Sequence, residues 1–196
     1  MKLPGIDSSK GDEIVTTEHR AAARRRVVTG HKGGKSVVLS DTELQKYAFK
    51  TIPGFEHIYV WAARGPHEAD RAEVDEALPR SALPPAGGSL LQIVTYPPSA
   101  RRSRSAGDQK AVVEEYRARL PGLAESFERD GSGMHATPSI DYALVLDGEL
   151  WLELDDGEAV HLHAGDIVIQ QATRHGWRNK SERPATIAFV MLAAGR

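Results

Sequence analysis

Cysteine is absent from this 196-residue chain, which excludes a disulfide framework, a thiolate metal site and a thiol nucleophile together. Aromatic residues are sparse at 6%. No apolar run approaches the roughly 18 residues of a membrane span, and the opening MKLPGIDSSKGDE lacks the apolar core of a signal sequence. The expectation is cytoplasmic residence with no membrane partner. An excess of one charge is missing too: 25 Lys and Arg face 27 Asp and Glu, for a net charge of -2. Arginines do cluster at Arg24, Arg25 and Arg26 and again at Arg101, Arg102 and Arg104, but no aromatics interleave with them. They read as solvated or dimer-facing loop charge, and nucleic acid is not expected as a partner.

What is present is ordinary globular material, 40% hydrophobic and 27% charged, enough for one core with an extension. After a polar arm, RRVVTGHKGGKSVVLSD sets two β-branched runs around a glycine turn, the pattern of a hairpin. Phe55 to Ala63 alternates as a strand, with Phe55, His57, Tyr59 and Trp61 sharing one face, so His57 and Trp61 can line a pocket. Residues 64 to 88 are rich in Pro, Gly, Ala and charge and suit an irregular connection. The expected division is therefore 1–88, an arm and β extension, and 89–196, a barrel. Leu90 to Tyr96 is the next strand. Asp108 to Leu120 reads as a helix capped by Asp108, with Val112, Val113, Tyr116 and Leu120 at helical spacing and Pro121 as its stop. From Asp141 onward strands follow one another through tight turns at Gly148, Gly157 and Gly165, as an all-β sandwich or barrel requires.

Within that stretch, Gly165-Asp166, an apolar run, then His175 and Asn179 in HGWRN resemble the second motif of the cupin superfamily. Counting back from Gly148 places Asp141 where the family's first motif carries a Glu, and His135 where its first histidine falls. Thr137 stands at the usual second histidine. The resemblance covers the last third to half of the chain and is similar to a group of small single-domain bacterial cupins. It implies an all-β fold, the cupin double-stranded β-helix or jelly-roll barrel, here with an N-terminal β extension and one short helix. It also implies one divalent metal ion (Fe, Mn, Zn or Ni) on His135, Asp141 and His175, a set of two histidines and one carboxylate.

Each residue has a plainer reading beside this one. His135 can be a loop residue, Asp141 a strand-edge carboxylate bonded to Ser139 or Thr137, and His175 a rim histidine. Tyr142, Trp177 and Trp151 are more naturally core aromatics than substrate platforms. His161 and His163 form an HxH on one strand face, but burial of Leu162 sends both outward, to solvent or a subunit contact, and away from a metal role. His19 and His31 lie in polar or turn segments.

The resemblance implies a small-molecule enzyme, metal-dependent in the manner of a dioxygenase, decarboxylase or lyase acting on a small oxygenated organic compound. A metal-free dehydratase or isomerase uses the same pocket, with His135 or His175 as base and Asp141 or Tyr142 as orienting partner. A non-catalytic binding module uses it without turnover. A homodimer is expected because the strands between Arg25 and Ala63 have little apolar surface of their own and need a sheet, or a partner barrel, to join.

Overall fold

The apolar alternation of the strand segments resolves into eleven strands and one α-helix in a computed structural model that describes residues 24–65, 81–99 and 106–194. The N-terminal arm with His19, the Arg101, Arg102 and Arg104 cluster, and most of the connection between 64 and 88 lie outside the described residues. No helix among the described residues is long and apolar enough to cross a membrane.

Strands β1 (Arg25–Lys32) and β2 (Lys35–Glu43) form the expected hairpin. It turns through Gly33 and Gly34, whose φ values of 59° and 74° fit the tight turns that feed a right-twisted ribbon. Among the described residues its two strands form a separate two-stranded sheet. Arg25 pairs with Asp41 at 3.2 Å. Arg26 donates to the Val60 carbonyl at 3.2 Å and lies 5.5 Å over the Trp61 ring.

Next come β3 (Tyr47–Ala48), β4 (Glu56–Ala63), β5 (Ser89–Tyr96), β6 (Ser139–Asp147), β7 (Glu149–Glu153), β8 (Ala159–His163), β9 (Ile167–Gln171), β10 (Gly176–Arg178) and β11 (Ala185–Ala193). One sheet runs β3-β4-β5-β11-β6-β9 and the other β10-β7-β8. Their inner residues, among them Val94, Val145, Leu150, Leu162, Trp177, Ile187 and Phe189, make one hydrophobic core. Sheets that close over a shared core in this way give the jelly-roll layout. The larger sheet crosses residue 88: β4 pairs with β5, and Phe49 and Phe55 join the same core. Of the strands expected to reach a partner barrel, β3 and β4 are thus engaged within their own chain, and the β1–β2 hairpin is what stands outside the sheet.

Register shifts interrupt three of the ladders, between Val28 and Thr29, between Thr186 and Ile187, and between Tyr59 and Trp61, and the last bears on the pocket. A bulge between Tyr59 and Trp61 pairs Tyr59 with Gln92 but Trp61 with Leu91. Gln92 is an inward residue and Leu91 its outward neighbour, so the extra residue turns Trp61 to the outer face, under Arg26, while His57 stays inside. Trp61 is not a pocket residue.

The helix α1 (Ala106–Arg119) starts two residues ahead of Asp108, which therefore sits in its first turn and not at its cap. Tyr116 packs against Phe49, Phe55 and Phe127 with ring centroids 5.1, 5.7 and 5.6 Å apart. Glu115 accepts from the backbone of Lys50 at 2.9 Å and of Thr51 at 2.8 Å, and from the Thr51 hydroxyl at 2.6 Å. These bonds fasten the helix across the mouth of the barrel, where it forms one wall of a cavity.

Candidate active site

The cavity enclosed by the barrel and α1 has a volume of about 730 Å³, within the range that holds a small organic ligand. Its apolar walls include Phe55, Val94, Tyr116, Phe127, Trp177 and Phe189, and its polar groups include His57, Gln92, Ser99, Thr137, His135, Asp141 and His175. Three of the four residues singled out from the sequence thus face one space. The fourth does not: Tyr142 follows Asp141 on β6, so the strand's two-residue period turns it outward, where it is 41% exposed. Tyr142 cannot orient a base in this cavity.

Local backbone structure explains why the two histidines meet. His135 and His175 form an isolated antiparallel bridge, each N–H donating to the other's carbonyl at 2.9 Å, and their rings sit 4.4 Å apart. Gly176 permits this approach, since a Cβ there would fall 2.8 Å from Met134 Sδ. His175 Nδ1 lies 2.9 Å from the Thr173 carbonyl, and His135 Nδ1 makes a longer 3.4 Å contact with the Gly133 carbonyl. A carbonyl only accepts, so Nδ1 carries the proton in each ring and Nε2 keeps its lone pair. The loop that presents Thr173 passes through Ala172 with φ of 52°, a left-handed conformation that non-glycine residues seldom adopt and that tends to gather near functional sites.

Burial sets the charge states. Desolvation lowers the His135 imidazole to about 4, helped by its closeness to His175, and lowers His175 in the same direction. Both rings are neutral at pH 7. Asp141 moves the opposite way: burial raises its carboxyl to about 6, opposed by a hydrogen bond from Ser139, whose hydroxyl also contacts Thr137 at 2.9 Å. Its Oδ1 is buried without a hydrogen-bond partner, as is the Ser99 hydroxyl on the same cavity. Unsatisfied buried oxygens are costly, and here both belong to residues lining a space that a ligand can fill. Deeper in, His57 Nε2 lies 2.7 Å from Gln92 Oε1, and burial depresses its imidazole to about 4. Gln92 and Ser99 are polar cavity residues that the sequence did not single out; alternation with Leu90 and Val94 on β5 places Gln92 inside, and its polarity in an apolar run is the available signal.

Two other motif residues hold the frame. Asn179 is fully buried and donates to the Tyr96 and Arg183 carbonyls at 2.9 and 2.7 Å while accepting from the Ser181 amide and hydroxyl at 3.0 and 2.7 Å. It ties the loop after β10 to the end of β5. Gly148 turns β6 into β7 with φ of 72°, where a Cβ would fall 2.7 Å from the Pro184 carbonyl oxygen.

A metal fits the chemistry of the donor set: two neutral imidazoles with free Nε2 atoms and a carboxylate oxygen lacking a partner. The three donors are not tightly gathered, however. Among the described residues, the group of three His, Asp or Glu donor atoms that all lie within 4.8 Å of one another is Glu149, His161 and His163 on the outer face, and not this set.

Comparison with known proteins finds a family match over part of the barrel. The family described as "Cupin domain" matches residues 128–191. Phomopsin biosynthesis cluster protein C' of Diaporthe leptostromiformis is 50% identical over 62 residues, covering 31% of this chain and 33% of that protein. The cupin-domain-containing oxidoreductase virC of Hypocrea virens is 44% identical over 64 residues, 31% of this chain and 33% of that one. The chain thus spans about a third of the length of these curated relatives in the matched region. A predicted oxalate decarboxylase from Thermotoga maritima aligns over 76% of this chain and 91% of its own at 13% identity and a TM-score of 0.39. The matched region, residues 128–191, contains His135, Asp141 and His175 and the strands β6 to β10 that carry or flank them, so the similarity to the cupin domain rests on this third of the chain and includes the candidate site.

Proposed function

We propose that the cavity is the active site of a metal-dependent cupin oxidoreductase acting on a small oxygenated organic compound, with His135, Asp141 and His175 as the metal ligands. The observation that carries this reading is the pairing of two neutral histidines, each with Nε2 unprotonated, and a buried carboxylate oxygen that has no partner. A divalent ion held there supplies Lewis acidity, polarising a carbonyl, carboxylate or hydroxyl oxygen. The chain's own residues do the rest. The Thr173 and Gly133 carbonyls keep both imidazoles in the tautomer that presents Nε2. The Ser99 hydroxyl offers a hydrogen bond to a polar group of the substrate, and Phe127, Tyr116 and Trp177 exclude water from its carbon frame. The relative described as a cupin-domain-containing oxidoreductase supports redox chemistry over decarboxylation or lysis.

The test is elemental analysis of untagged protein, followed by oxygen-uptake and product assays with hydroxy acids, keto acids and small phenols. About one equivalent of metal lost in His175→Ala, with metal-dependent turnover, is expected. Wild-type protein that binds a compound tightly, carries no metal after supplementation and turns nothing over would make the cavity a binding module.

Asp141, raised to about 6, favours a second reading: a metal-free dehydratase or isomerase in which Asp141, rather than a histidine, moves the proton. Turnover that survives chelation and falls in Asp141→Asn supports it.

The oligomer we propose is a homodimer. Ile140, Tyr142, Leu146, Ile167 and Ile169 stand exposed on the outer faces of β6 and β9, and Val27 and Val38 on the β1–β2 hairpin. An apolar patch on an edge strand calls for a partner, and a second copy laying its hairpin there covers both surfaces at once. Light scattering that gives the mass of one chain at micromolar concentration rules this out.

A further inference from the structure

We infer that Glu149, His161 and His163 form a second metal site on the outer surface of the barrel, separate from the cavity and suited to a borderline divalent cation such as Zn2+ or Cu2+. The HxH of β8 alone offers two imidazoles on one face; the third donor comes from the neighbouring strand. In the antiparallel ladder Glu149 stands opposite His163 and Trp151 opposite His161, so Glu149 lies beside one histidine and diagonal to the other. Each of the three brings one donor atom within 4.8 Å of the other two. Tetrahedral coordination with bonds of about 2.0–2.1 Å needs donors roughly 3.4 Å apart, a closure that half-exposed side chains make by small rotations.

Two features distinguish this cluster from casual surface charge. The His161 ring is stacked on Trp151, centroids 3.9 Å apart and planes within 9°, so its direction is held before any ion arrives. The turn after His163 is likewise fixed, because Asp166 Oδ2 accepts the His163 N–H at 2.8 Å while lying 3.9 Å from its Nδ1. Without metal, His161 Nε2 faces Glu149 Oε2 at 2.7 Å across one proton; a cation takes that proton's place and recruits His163, whose ring is 4.3 Å from that of His161. The outward orientation leaves a coordination position open to water or to a donor from another molecule.

The two sites have separate fluorescent reporters, since Trp151 touches His161 while Trp177 meets His175 edge-on at 5.9 Å. The experiment uses the full untagged chain stripped with EDTA, titrated with Zn2+ by calorimetry and with Cu2+ by tryptophan quenching. Wild type is expected to bind Zn2+ at a site that the double variant His161→Gln/His163→Gln weakens by at least about 100-fold and that His175→Ala leaves intact. Cu2+ quenching from that site disappears in Trp151→Phe. The inference is overturned if the double variant binds as many Zn2+ equivalents as wild type at the same affinity, if His175→Ala removes all Zn2+ binding, or if wild type binds none. Circular dichroism of the double variant keeps loss of fold apart from loss of a ligand; should it unfold, Glu149→Gln replaces it with the same expected loss.

Discussion

Two histidine pairs occupy the two sides of one barrel wall and differ in almost every physical respect except their chemistry. His135 and His175 face inward, are buried, are depressed by desolvation, and are held by backbone carbonyls. His161 and His163 face outward and rely on side-chain neighbours, Trp151, Glu149 and Asp166. The inner pair is shielded from water by the cavity walls, and the outer pair stands in contact with solvent. Whether a histidine ends up on one side or the other is decided by the two-residue period of its strand and by what that strand packs against.

The largest expected effect is that of acid on the buried side, where His57 joins the inner pair. In EDTA-treated protein, folded His57 and His135 take up no proton until about pH 4, whereas the unfolded chain protonates them near 6.5. The unfolded state therefore binds more protons between those values, and stability present above pH 6.5 is lost as pH falls, by about 3 kcal/mol for each histidine at the acid end. Denaturant midpoints measured from pH 7.5 to 4.5 should fall, and less steeply in His57→Gln. Equal slopes would remove the buried histidines as the cause.

Next in size is the effect of cutting one inner ligand. His175→Ala is expected to weaken metal binding in the cavity by about 100-fold, read by competition with a chromophoric chelator. Retained affinity would move the metal elsewhere.

Asp141→Asn tests the inner wall from the other direction. The folded carboxyl has a raised pKa, so its burial cost is absent below the unfolded value of about 3.9, grows as pH rises from there, and is complete above about 6. Removing the charge should stabilise metal-free protein by about 2 kcal/mol at pH 7.5 and by little at pH 4, while abolishing metal binding in the cavity. A variant less stable than wild type at pH 7.5 would mean that Oδ1 has a partner after all.

The smallest change is expected outside. His161→Gln removes an exposed pair with Glu149, so denaturation without metal should shift by no more than about 0.5 kcal/mol. A loss several times larger would show that the Trp151 stack is part of the frame, not only of the proposed outer site.

Much of this architecture was legible in the residues themselves. The hairpin at Gly33-Gly34, the helix stopped before Pro121, the strand sequence after Asp141 and the outward turn of the HxH on β8 follow from local periodicity and turn chemistry, which depend on near neighbours only. The resemblance to two family motifs points to His135, Asp141 and His175, and the structure places all three on one cavity. Tyr142 lies one strand position from the buried Asp141 and for that reason stands on the outer face. Other features required the assembled chain. The bulge that turns Trp61 out depends on pairing with β5, a strand some thirty residues away in sequence. Gln92 becomes a cavity residue only because β5 is flanked by β4 and β11. Glu149 joins the outer histidines through a cross-strand register, and the protonation of His135 and Asp141 is set by burial. Sequence determines which side chains can carry chemistry and which face of a strand they favour, since those are local covalent and steric matters. Distance between strands, exclusion of water and the pKa values that follow arise from packing of remote segments, and only the tertiary structure decides them.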